Sequence, residues 1–174
     1  MRINFSILGQ WLLILISLYF GYQLVATFGA WIFLDNLNLL IHEAGHLIFL
    51  PFGRFMNMLG GSLFQILFPC IFLLYFIKRK EYFSASFIIF WIADNIINVS
   101  VYMRDAQVMQ LLLLGGDNSI HDWNWLFSSM GVLSRTQQIG TTFFALGAIC
   151  LVLSILGMIL FTLFKMQNKQ KFFQ

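Results

Sequence analysis

Between Phe5 and Ala30 the sequence is apolar almost without a break, interrupted only by Gln10, Ser17, Gln23 and small residues. A secretory leader has an apolar core of about 7–15 residues followed by a small-residue cleavage site, and this run is longer and lacks a clear one. It is long enough to cross a bilayer as a helix, which takes about 20 residues. Further apolar stretches follow over 33–52, 62–77, 83–103 and 140–164. Only 10% of the 174 residues are charged and 60% are hydrophobic, against about 25% charged in soluble domains. The expected fold is an all-α, polytopic membrane helix bundle. It has five transmembrane segments in a single domain, 1–174, with an interfacial helical segment over 115–139.

The punctuation supports these limits. Pro51-Phe52-Gly53 ends the second stretch, since proline cannot continue a helix and glycine readily leaves one. Gly60-Gly61 is expected to break the chain before the third span, which closes at Lys78-Arg79-Lys80. Gly115-Gly116-Asp117-Asn118-Ser119 has turn composition. After it, Trp123, Leu126, Phe127, Met130 and Leu133 recur at helical spacing, and two tryptophans at the head of such a helix suit the water–lipid boundary.

The formal charge is +3, and Lys78, Arg79, Lys80, Lys165, Lys169 and Lys171 hold six of the ten basic groups. With five crossings these six share one side, opposite Arg2, Arg54, Arg104 and Arg135. The positive-inside rule then places the C-terminus in the cytoplasm of a multi-pass protein of a cell membrane, the inner membrane in a bacterium. Basic residues gathered at span ends speak for topology and against a nucleic-acid partner. Cys70 and Cys150 lie in apolar runs, with no CxxC spacing, and read as buried reduced thiols.

Within the second stretch the ionisable side chains from Leu37 to Phe52 all belong to one motif, His42-Glu43-Ala44-Gly45-His46. Four residues apart on a helix, His42 and His46 share a face and can hold one metal ion. Glu43 flanks that face, placed to take a proton from a metal-activated water. Asp35, Asn38, His42, Gly45 and His46 form one polar stripe, and intramembrane polar residues face the bundle interior and mark function. Two imidazoles and a carboxylate buried without compensation would cost several kcal/mol, which a bound Zn²⁺ offsets. A second stripe, Asp94, Asn98, Tyr102 and Asp105, lies on the fourth span.

A catalytic zinc needs a third protein ligand. Asp94, Asp105, Asp117, His121 and Asp122 are the downstream candidates, and at ~1.5 Å per residue depth alone favours Asp94. The cluster His121-Asp122-Trp123-Asn124 reads first as a helix start at the membrane surface, with Asp122 favourable at the positive end of the helix dipole. Its alternative role is a gate or a further polar group over the cleft.

An HExxH motif in one span, with an Asp-bearing segment closing a later one, resembles the site-2 protease family of intramembrane zinc metalloproteases. The family's second motif, Asn-x-x-Pro leading to Leu-Asp-Gly, is similar to Asn98-Val99-Ser100-Val101-Tyr102-Met103-Arg104-Asp105-Ala106. Val101 stands where the family has proline, Ala106 where it has glycine, and the Asn-to-Asp spacing is one residue short. The resemblance covers roughly Leu37 to Leu114. It implies one Zn²⁺ held by His42, His46 and Asp105, with Glu43 as catalytic base, Asn98 at the substrate, and a helix break after Asn98. Asp94 then orients a histidine ring, and Asp94 and His121 remain alternative third ligands. The implied activity is hydrolysis of peptide bonds in membrane-embedded protein substrates. The competing readings are a membrane metallohydrolase acting on a lipid or small amide, and a non-catalytic scaffold whose polar stripes only join helices.

Overall fold

The structure, a computed structural model, describes residues 5–111 and 120–171. The helices are α1 (Phe5–Ala26), α2 (Phe33–Phe49), α3 (Arg54–Lys78), α4 (Tyr82–Asp105), α5 (Asp122–Ser129) and α6 (Thr136–Lys171). Short 3₁₀ turns at Leu50–Phe52 and Leu133–Arg135 join α2 to α3 and α5 to α6. All regular structure among the described residues is helical, as lipid requires of an open chain that must satisfy its own backbone. Arg2 and the turn at 115–119, with Asp117, lie outside the described residues.

Close contacts fix the helix directions. Gly21 of α1 packs on Leu151 and Ile155 of α6, and Lys165 Nζ donates to Ser6 Oγ at 2.8 Å, so α1 and α6 are antiparallel. Gly140, Gly147 and Gly157 of α6 meet Arg104, Ile97 and Ser86 of α4 in turn, an antiparallel seam. Gln65 pairs with Asn98 and Phe72 stacks on Trp91, which makes α3 antiparallel to α4. Leu24, Ile32, Phe90, Ala93, Ile97, Phe144 and Leu151 form the core between α1, α4 and α6.

These directions revise the topology. Helix α1 leaves, and α3 enters, at the end marked by Arg104 over Phe28 and Arg54 over Trp125. Helix α2 lies between them, in a stretch of chain that leaves and rejoins the bundle at that one end. Four helical segments, Phe5–Ala26, Arg54–Lys78, Tyr82–Asp105 and Leu133–Asn168, are long and apolar enough to span a membrane. At 17 residues, α2 is about 25 Å long, short of a hydrocarbon core of about 30 Å. The start of α1 therefore shares an end with Lys78, Arg79, Lys80 and Lys165, where five crossings would have set it opposite.

Boundaries shift for local reasons. Gly60 and Gly61 do not break α3, which begins at Arg54 after Gly53 turns the chain at φ +88°. Each helical glycine costs about 1 kcal/mol relative to alanine, and close packing supplies the compensation. A Cβ on Gly45 of α2 would collide with the Gly60 carbonyl and lie 2.8 Å from Phe64 Cβ. Helix α4 runs unbroken through Asn98 to Asp105, without the break that the protease resemblance implied. Helix α6 starts at Thr136, and its 36 residues reach about 54 Å, more than a bilayer needs. Helix α5 is seated on its neighbours: Trp123, Leu126 and Phe127 bury against Val99, Met103 and Ala106 of the α4 end.

Candidate metal centre

Helix α2 starts where Asp35, in its first turn, reaches back to accept the Ile32 backbone N–H at 2.7 Å. From that start, the buried face carries Asp35, Asn38, Ile41, His42 and Gly45. His42 and His46 stack edge to face with centroids 4.9 Å apart. The site lies roughly 10–12 Å below the first residue of α3, by rise per residue, near the arginine-bearing end of the bundle.

The third member is Asp122, the first residue of α5. Its Oδ2 stands 3.1 Å from His42 Nε2 and 3.2 Å from His46 Nε2. One ligand atom from each of these three residues lies within 4.8 Å of the others, so the group could hold a metal ion. Trp123 Nε1 donates to Ser62 Oγ at 3.0 Å and Asn124 Nδ2 to the Ala106 carbonyl at 2.8 Å, which seats α5 with its head turned inward. The Asp122 backbone N–H donates to Tyr102 Oη at 3.1 Å, and that hydroxyl is 3.4 Å from Asp122 Oδ2.

Hydrogen bonding settles which ring nitrogens are free. His46 Nδ1 is 2.7 Å from the Asn57 carbonyl, which only accepts, so Nδ1 carries the proton. Asn57 Nδ2 returns the bond to the His46 carbonyl at 2.7 Å. His42 Nδ1 is 3.0 Å from Gln65 Oε1, again an acceptor. With both rings neutral, each would present an unprotonated Nε2 to the same carboxylate oxygen, three lone pairs with no donor between them. Added protons would close that gap by charging at least one ring beside the other. One shared cation closes it with both rings neutral, and the donor set suits it. Gly61 completes the cradle: a Cβ there would run into His42 Nε2 and stand 2.7 Å from His46 Nε2.

The expected third ligand, Asp105, is elsewhere. It accepts the backbone N–H groups of Gln110 (2.9 Å) and Leu111 (3.0 Å), and lies 3.3 Å from His121 Nε2. With α4 unbroken, its carboxylate caps the chain leaving the helix and does not turn back to the histidines. His121 is no ligand in this arrangement either. Its Nδ1 accepts the Asn124 N–H at 3.2 Å as the cap of α5, and Nε2–H donates to Asp105. His121 precedes α5, outside the helices long enough to span, and burial lowers its pKa against the opposing pull of Asp105.

Asp94 is level with Asn38, a turn before His42, and accepts Asn38 Nδ2 at 2.8 Å. Asn98 is occupied by Gln65 and Asp35. Glu43 is exposed on the flank of α2, near enough to His46 and Tyr102 for its charge to act on both. Gln65 and Asn57 supply the two acceptors that orient the rings, and their spacing in the sequence carries no motif. Asp122 had one signal: a carboxylate and a histidine together head a short helix that no motif explains.

Fold and site together define a helical, membrane-type bundle with a His-His-Asp constellation able to hold a metal ion. No family model, curated protein or solved structure matches the chain.

Proposed function

We propose that the protein is a zinc-dependent membrane endopeptidase, resembling the site-2 proteases, that hydrolyses peptide bonds in membrane-embedded protein segments. The observation that carries this is the convergence of the His42 and His46 Nε2 atoms and the Asp122 carboxylate on one point beside an HExxH glutamate. His42, His46 and Asp122 would hold the ion, and their N₂O donor set suits Zn²⁺ at a catalytic site. When bound, zinc supplies Lewis acidity and draws the pKa of a water down to about 7.

Glu43 accepts the proton that water loses as its oxygen adds to the peptide carbonyl carbon. It returns that proton to the nitrogen as the C–N bond breaks, yielding an acid and an amine. Its exposed position on α2 leaves it open to a substrate arriving from beside the helix. Exposed Leu40, Leu47 and Leu50 around it provide an apolar approach suited to a substrate already in lipid.

The test is metal analysis of purified protein, followed by incubation of wild type and Glu43→Gln with membrane-peptide and lipid pools. Stoichiometric zinc in both proteins, with peptide cleavage only in wild type, is the expected result. Lipid turnover without peptide cleavage would reassign the substrate class to lipids. Absence of zinc, with His42→Ala leaving stability unchanged, would leave only the scaffold.

A further inference from the structure

Gln65 can hold His42 in the metal-ready tautomer only if it presents its oxygen to the ring. A glutamine amide has no such preference of its own, so something must orient it. Gln65 Nε2 donates to Asn98 Oδ1 at 2.9 Å, and Asn98 Nδ2 donates to Asp35 Oδ1 at 2.8 Å. The other Asp35 oxygen takes the Ile32 backbone N–H at 2.7 Å. A carboxylate facing that fixed donor offers only an acceptor to Asn98. Asn98 must therefore turn its NH₂ toward Asp35 and its oxygen toward Gln65. Gln65 in turn must point its NH₂ at Asn98 and its oxygen at His42. The chain of bonds leaves α2 at Asp35, passes through α4 and α3, and returns to α2 at His42 with its polarity dictated throughout.

We infer that Asp35 is a positioning residue for the metal centre, setting the His42 tautomer through Asn98 and Gln65. This rests on the proposed metal-binding role of His42, and goes beyond it by assigning the network that keeps Nε2 unprotonated. Burial holds the two ends of the relay, with Asp35 1% exposed and Gln65 2%, and the half-buried Asn98 is tied to both of them. Groups that support a ligating histidine from behind typically change metal affinity by about 10–100-fold when altered.

The polarity makes an unusual reversal testable. In Asp35→Asn the side-chain oxygen stays on the Ile32 N–H, and the new NH₂ faces Asn98. Asn98 and then Gln65 flip, Gln65 offers a donor to His42 Nδ1, and the ring proton moves to Nε2. In the double variant Asp35→Asn with Gln65→Glu, the new carboxylate accepts from both the flipped Asn98 and His42 Nδ1–H, restoring the original tautomer. Two readouts are needed: the ¹⁵N shifts of His42 in metal-free protein, at a pH high enough for the ring to be neutral, and zinc affinity by competition with a chelator.

The expected result is loss of the Nδ1–H tautomer and a ~10–100-fold weaker zinc affinity in Asp35→Asn, with both recovered in the double variant. An unchanged tautomer in Asp35→Asn overturns the inference. So does a tautomer change that Gln65→Glu fails to reverse, since Asp35 would then act only by holding the helices. If Asp35→Asn does not fold, Asn98→Leu cuts the relay at its middle, and an unchanged His42 tautomer there overturns it equally. The ¹⁵N readout needs no metal, so a wild type that binds no zinc would sink the proposed function without deciding the relay.

Discussion

Asp122 Oδ2 lies 3.1 Å from His42 Nε2, although 80 residues of chain separate the two. The carboxylate arrives on α5, a helix of only 8 residues, and is held by the bonds of Trp123 and Asn124 to α3 and the end of α4. Loss of this carboxylate should therefore be felt at the metal far more than loss of Asp105. Asp122→Ala is expected to lower zinc affinity by more than ~100-fold. Asp105→Asn, which alters the support of α5 through His121 and one backbone bond to Gln110 or Leu111, should cost ~10-fold or less, by analogy with outer groups at metal sites. Isothermal titration of the two variants in detergent checks the order, and equal effects would return Asp105 to contention.

Gly61 offers a separation of stability from binding. Alanine is the better helix former by up to about 1 kcal/mol, which offsets part of the cost of displacing the two rings, so Gly61→Ala should leave the fold intact. Its methyl group, however, occupies the space against both Nε2 atoms. The expected outcome is a folded protein with a little-changed melting temperature and zinc binding abolished. Retained binding would show that the ion does not sit over Gly61.

Gly147 predicts the opposite pattern. A Cβ there would stand 2.6 Å from Ile97 Cγ1 and 3.2 Å from the Ala93 carbonyl, in the tight seam between α4 and α6. Gly147→Ala is expected to destabilise the bundle by roughly 1–3 kcal/mol through overpacking. Zinc affinity in the fraction that remains folded should not change. Thermal unfolding in detergent, with metal titration below the transition, reads both quantities.

Metal removal should loosen the site end of the molecule. A ligand present at 100 times its Kd stabilises the folded state by about 2.7 kcal/mol. Chelation should lower the melting temperature of wild type and leave that of His42→Ala unmoved. A shift of equal size in both would assign the effect to the chelator.

The sequence made the membrane bundle legible because apolar runs of spanning length have few other destinations. It also placed His42, Glu43 and His46 on one helix, since four-residue spacing is a local property. The count of crossings was not legible: whether α2 traverses or turns back depends on where α1 and α3 lie, and composition does not record that. Asp122, named among the candidate third ligands, was passed over for a related reason. Its segment has the polarity and paired tryptophans of an interfacial helix, yet Leu126 and Phe127 pack it onto α3 and α4. Asp105 attracted attention by its neighbours in sequence, while its partners in space are the backbone of Gln110 and Leu111. Gln65 and Asn98 are polar residues in apolar helices, conspicuous in the sequence, but their common direction from Asp35 to His42 exists only in three dimensions.

Helix α5 also sets an order of assembly. A chain is made from its N-terminus, so both histidines and Glu43, and then α3 and α4, are synthesised before Asp122. Until α5 docks, the cradle has two ligands and an unfinished wall. The His42–His46–Asp122 group that could hold a metal ion is therefore complete only once most of the protein exists.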